Sequence, residues 1–218
     1  MNSYKNKPCA YCGLQEGTCH GGHVIPKKMY PTSSKVRRVV VPECHLCKKN
    51  WDDDAHFRAV IAMCGEPNEQ ANEMWYGPIS RSFEHRSGSR WIRDLRELMV
   101  PVETTDGPRH KIYPLRDERV TRILKRIVRG LCQWEEIGTK ITNEQVFVTV
   151  EWFEVPPAFR DQFKRKSLGD DFCWYSYSDQ RGQDGGEFHS VWEIEFYGRT
   201  RFFCIVSESL EAAPAQVA

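Results

Sequence analysis

The sequence predicts an α+β fold, and three stretches of different periodicity predict it. Near the N-terminus two C-x-x-C pairs, "CAYC" and "CHLC", enclose a β-branched run and lead into a helix start. In the middle, "LRDERVTRILKRIVRGLCQW" repeats apolar residues at steps of three and four. Toward the end, "QVFVTVEWF", "FCWYSYS", "SVWEIEFYG" and "RFFCIVS" are β-branched and aromatic runs separated by turn residues. Helical and strand-forming runs that are segregated along the chain, rather than alternating, indicate α+β.

Taken in order, residues 1–66 hold both cysteine pairs and end in a helix. Val39–Val41 reads as a short strand that Pro42 ends. "NWDDDAHFRAVIAMCG" opens with Asn50 and the aspartates Asp52–Asp54, which suit a helix N-terminus by capping and by the helix dipole. Phe57, Val60, Ile61 and Cys64 follow at helical spacing. Residues 67–145 read as mainly helical. Val120, Ile123, Leu124, Ile127, Val128 and Leu131 form one apolar face there, and Arg119, Arg122, Lys125, Arg126 and Arg129 the opposite one. Residues 146–206 read as an antiparallel sheet, and 207–218 as a small, polar, flexible tail.

Composition narrows the function classes. The chain has 218 residues, enough for a sizeable core, and 12% aromatics argue against extended disorder. The net charge is +1, so any electrostatic attraction to a polyanion must come from local patches. No apolar run approaches the roughly 20 residues that span a bilayer. The opening "MNSYKNKPCAYC" has no apolar core of a signal peptide, so a cytoplasmic location is expected. An odd count of nine cysteines argues against a disulfide framework.

Four of those cysteines, Cys9, Cys12, Cys44 and Cys47, have the spacing of a zinc site, since each short loop lets two sulfurs reach one ion. Four thiolates fill the tetrahedral shell of Zn²⁺ and leave no position for water, so this zinc is expected to be structural. The remaining five read as small buried hydrophobes.

A cysteine knuckle, then "HVIPKKMYP", a second knuckle, an asparagine and a helix carrying a histidine together resemble the HNH endonucleases of the ββα-metal class. The specific part of the resemblance covers about the first 60 residues; "KRIVRGL" and "SVWEIEFYG" more loosely resemble segments that follow this motif in bacterial HNH-type proteins. The resemblance implies an N-terminal zinc-stapled finger of two strands and a helix around a divalent cation, Mg²⁺ or Mn²⁺, and hydrolysis of phosphodiester bonds in DNA. It carries the general base onto His23, the orienting asparagine onto Asn50 and a metal-binding helix residue onto His56. Neutral imidazole suits the task of taking a proton from water near pH 7. Two positions depart from the family pattern. Gly22 stands where most active relatives have an acidic metal ligand, and Lys48 and Lys49 intervene before Asn50. His20 or an aspartate such as Asp53 is the expected replacement for the missing carboxylate.

Basic pieces surround this motif: Lys27 and Lys28, "KVRR" with Arg37 and Arg38, and Lys48 and Lys49. With Arg122, Arg126 and Arg129 they are the expected contacts to phosphate. Double-strand cutting implies a second copy of the chain or a partner protein. The rival expectations are a degenerate finger that binds nucleic acid without cutting, favoured by Gly22, and a zinc-stabilised protein-interaction module.

Overall fold

The computed structural model describes residues 4–14, 19–32, 34–49, 53–64, 68–84, 88–137, 140–150, 162–168, 172–180 and 189–208. It is α+β. Strands β1 (His20–His23) and β2 (Val40–Glu43) pair antiparallel, and helices α1 (His45–Lys49) and α2 (Asp54–Met63) follow. Next come α3 (Glu69–Met74), a wide π turn at Trp75–Ile79, α4 (Ser80–Phe83) and α5 (Gly88–Glu97). Strands β3 (Met99–Thr104) and β4 (Gly107–Ile112) form a separate two-stranded ribbon. Helix α6 (Glu118–Trp134) leads to β5 (Val146–Thr149), β6 (Lys164–Ser167), β7 (Cys173–Gln180), β8 (His189–Phe196) and β9 (Thr200–Ser207). These five strands make one antiparallel sheet in the order β5-β9-β8-β7-β6. Among the described residues no helix is long and apolar enough to cross a membrane.

The sequence pattern accounts for most of this. Alternation places Tyr175, Tyr177, Trp192, Ile194, Phe196, Phe202, Cys204 and Val206 on the buried face of the sheet. Helix α6 buries Val120, Ile123, Leu124, Ile127, Val128 and Leu131 completely, as its periodicity predicts. Its start is Asp117, whose carboxylate accepts the Arg119 amide at 2.9 Å. Phe57 of α2 meets Phe196 of β8 edge to face at 5.7 Å between centroids, so the N-terminal helix and the C-terminal sheet share one core. The Tyr197 hydroxyl donates to the Met29 carbonyl at 2.8 Å across the same junction.

Three features depart from the sequence reading. The mainly helical middle also carries the β3–β4 ribbon, whose Pro101, Glu103 and Pro108 have low strand propensity and hide its alternation. The sheet gains a fifth strand, β6, because the charged edge segment Lys164–Ser167 pairs with β7 without any apolar signal of its own. Pro42 lies within β2 rather than ending it. Its partner there is Gly21, and its carbonyl accepts the Ala10 amide at 2.8 Å.

Candidate functional site

The four knuckle cysteines converge. The sulfurs of Cys9, Cys12, Cys44 and Cys47 lie within 4.8 Å of one another, an arrangement that could hold a zinc ion. Gly13 turns the first knuckle at a φ of +71°, where a side chain would be strained. The amides of Tyr11 and Cys44 donate to the Cys9 sulfur at 3.5 and 3.4 Å, and the Cys47 amide donates to that of Cys44 at 3.5 Å. Burial works against ionisation of Cys9, but these amides hold its thiol below the ordinary value. Burial and the crowding of the Cys9, Cys44 and Cys12 sulfurs push the Cys47 thiol up. Several thiolates this close are tolerable only around a cation, which reverses that crowding.

The second knuckle is tied to β2, and β2 bears on His23. A cavity of about 470 Å³ opens beside the β1–β2 pair, and His23, Glu43, Asp54, Lys27, Lys48 and Arg126 are among its lining residues. Glu43 is the residue the sequence reading missed. It stands opposite His20 in the ladder and leans diagonally over Gly22. A Cβ at position 22 would come 2.4 Å from Glu43 Oε2 and 2.6 Å from its Cβ, so the space a side chain at 22 would take is filled by Glu43 from the neighbouring strand. Glu43 is 2% exposed, and its Oε1 accepts from Arg126 Nη2 at 2.9 Å. Arg126 in turn lies over the Tyr11 ring at 5.1 Å, which couples the first knuckle to the cavity.

His23 and Asp54, which line the cavity, each also carry a buried atom without a hydrogen-bond partner among the described residues, Nδ1 and Oδ1 respectively. Burial raises the Asp54 carboxyl, Arg126 and Lys28 lower it, and Glu43 and Asp53 raise it again. Burial, then Arg38, Lys27, Arg126 and Lys48, hold the His23 imidazole below its ordinary value, so the ring is neutral at neutral pH.

The other expected site residues are placed as follows. Asn50 lies outside the described residues. His20 is exposed and is not among the cavity-lining side chains. Asp53 pairs with Arg122 instead of lining the cavity. His56 requires a correction: it is 3% exposed and points into the protein, its Nε2 2.6 Å from Asp117 Oδ2, while Asp54 is the α2 residue that lines the cavity. Helical geometry explains the exchange, because residues two apart on α2 face about 160° away from each other. Lys27 and Lys48 lie at the cavity; Lys28, Arg37 and Lys49 are exposed and are not among its lining residues, and Arg38 stacks over Tyr30 at 5.1 Å. Arg126 and Arg129 also need correction as phosphate contacts. Both are buried, Arg126 on Glu43 and Arg129 on the carbonyls of Ile141 and Tyr11 and on Asn143 Oδ1. Arg122 alone of those three is exposed, and it is paired.

Comparison of the chain with protein-family models, with curated proteins and with solved structures finds no match.

Proposed function

We propose that this chain is an HNH-like, metal-dependent nuclease that hydrolyses phosphodiester bonds in DNA, with His23 as general base. The observation that carries this reading is the meeting of His23, Glu43 and Asp54 at one open cavity with Lys27 and Lys48 beside it. In this reading the β1–β2 pair and α2 form the ββα-metal finger, and the cysteine tetrad holds a structural zinc that braces it from outside the cavity.

Glu43 and Asp54 would hold a divalent cation. Both offer carboxylate oxygens, the ligands that Mg²⁺ and Mn²⁺ prefer. When bound, the cation supplies charge stabilisation to the phosphoryl oxygens and to the leaving oxygen. His23, kept neutral by burial and by its basic neighbours, accepts a proton from water as the water oxygen forms its bond to phosphorus. The bond from phosphorus to the leaving sugar oxygen breaks, and that oxygen takes a proton from solvent. Lys27 and Lys48 supply positive charge for the substrate phosphate. Glycine at 22 favours a non-catalytic finger, whereas the Glu43 carboxylate beside that position supports the catalytic reading.

The test is conversion of supercoiled plasmid to nicked or linear DNA in Mg²⁺ or Mn²⁺ by the full chain and by His23→Ala. Cutting by the parent and little by the variant supports the reading. A parent that fails to cut in either metal, or a variant that cuts as fast, ends it.

A further inference from the structure

The arginine face of α6 does not offer its charge to a ligand. Arg119 bonds Asp117 and Asp94, Arg122 bonds Asp53, and Arg126 and Arg129 are buried on partners of their own. Uncommitted cations stand instead on the β3–β4 ribbon. Arg109 and Lys111 are exposed, opposite Val102 and Val100, and alternation puts both on one face, about 6.6 Å apart along the strand. The other face carries the Met99–Ile112 pair at the base of the ribbon, and Ile112 packs against the core. The cationic face bears exposed Arg109 and Lys111 beside half-buried Val100 and Val102. It carries no acid: Glu103 is on the Ile112 face, and Asp106 is in the turn at the tip.

The strip continues beyond β4. Lys111 lies over the Tyr113 ring at 5.1 Å and Arg116 over the same ring at 4.8 Å. Arg109, Lys111 and Arg116 have no ion pair among the described residues. Arg116 precedes Asp117, Asp117 bonds His56, and His56 stands two residues beyond cavity-lining Asp54 on α2.

We infer that the β3–β4 ribbon and the Tyr113–Arg116 segment form a backbone-holding arm for double-stranded DNA, with Arg109, Lys111 and Arg116 on its phosphates. The inference rests on the nuclease reading for its substrate class. Duplex DNA fits better than a single strand because Tyr113 is engaged by two cations, whereas single-strand binding relies on aromatic faces left open for bases. It fits better than duplex RNA because a two-stranded ribbon enters the wide major groove of B-form DNA, while that of A-form RNA is too narrow.

The experiment measures fluorescence anisotropy of a short labelled DNA duplex with full-length His23→Ala protein, so that binding is read apart from cutting. The comparison is the same protein with R109Q, K111Q and R116Q added, all at exposed positions, with melting temperature as the folding control. Three lost phosphate contacts should reduce affinity on the order of 10-fold or more near physiological salt and lower the salt slope by about 2.7, or 0.9 per contact. Equal affinity and equal slope in the triple variant overturn the arm. So does a parent that prefers the single strand or duplex RNA of the same sequence. A protein that binds duplex through the ribbon yet never cuts retains the arm and loses the nuclease; one that cuts while the ribbon variant binds unchanged loses the arm alone.

Discussion

Glu43 lies over Gly22 so closely that the two positions share one side-chain volume: a Cβ at 22 would meet Glu43 Oε2 at 2.4 Å. Glycine at 22 and glutamate at 43 are therefore one device. Gly22→Asp should overpack the pair and cost about 1–3 kcal/mol of stability, since the contact involves the Glu43 Cβ as well as its mobile carboxylate. Adding Glu43→Ala should recover much of that loss, because the introduced aspartate then has both the space and the Arg126 partner. Glu43→Ala alone should be the worst of the three, because it removes the carboxylate from a buried ion pair at a cost of about 3–5 kcal/mol. Thermal melts rank the variants, and a Gly22→Asp protein as stable as the parent would show that the volumes are not shared.

His23→Ala should reduce cutting on the order of 10²-fold or more, with zinc content and melting temperature nearly unchanged. The pH profile carries the sign. A base acts when deprotonated, and burial with the charges of Arg38 and Lys27 depresses the His23 value below 6.5. Activity should therefore be full at neutral pH and fall as the pH drops below about 6.5. Arg38→Gln, which removes the largest of those charges, should shift that acid limb upward. A downward shift would contradict the electrostatic account.

Metal removal should act on folding. A single tightly held zinc is expected on the cysteine tetrad, and Cys44→Ser or prolonged chelation should loosen the N-terminal region, since metal binding contributes directly to stability. The loss should spread to the cavity through Tyr11, whose ring stacks on Arg126 and whose carbonyl accepts from Arg129. Elemental analysis of protein purified without chelator, followed by melting with and without zinc, checks both parts.

Asp117 should make the fold acid-sensitive. Burial opposes its ionisation, but Arg119 and His56 together lower its value from 3.8 to about 2. A depressed carboxylate stabilises the fold fully above its unfolded value. That contribution, about 2 kcal/mol, is lost as pH falls from about 5 toward 2. Asp117→Asn should lower stability at neutral pH and flatten its dependence in that window, as read by urea melts across the range. His56→Ala should likewise cost stability, because it leaves Asp117 buried without one of its partners. An unchanged melt in His56→Ala would mean the pair is not structural.

Where the signal is local, the sequence was enough. The cysteine tetrad could be read from spacing, since a two-residue loop confines where two sulfurs can go. The buried face of α6 and the core face of the sheet followed from periods of 3.6 and 2, which short-range geometry imposes on any chain. Asp53 and Asp54 at the start of α2 belong to the same class.

What only tertiary structure decided is which polar side chains meet. Periodicity assigned Arg126 and Arg129 to a polar face, but the first cysteine knuckle and the Ile141–Asn143 segment pack over that face, and buried guanidinium groups need partners. Nothing near Glu43 in sequence marks it as lining the same cavity as His23; strand register places it beside Gly22, whose missing side chain leaves it room. The choice of Asp54 over His56 at the cavity depends on the rotation of α2 about its axis. That rotation is set by Phe57 against Phe196 and by the His56–Asp117 bond, contacts between residues 61 or more positions apart. Local spacing carries no information about contacts across such separations, because they are selected by the packing of the whole core.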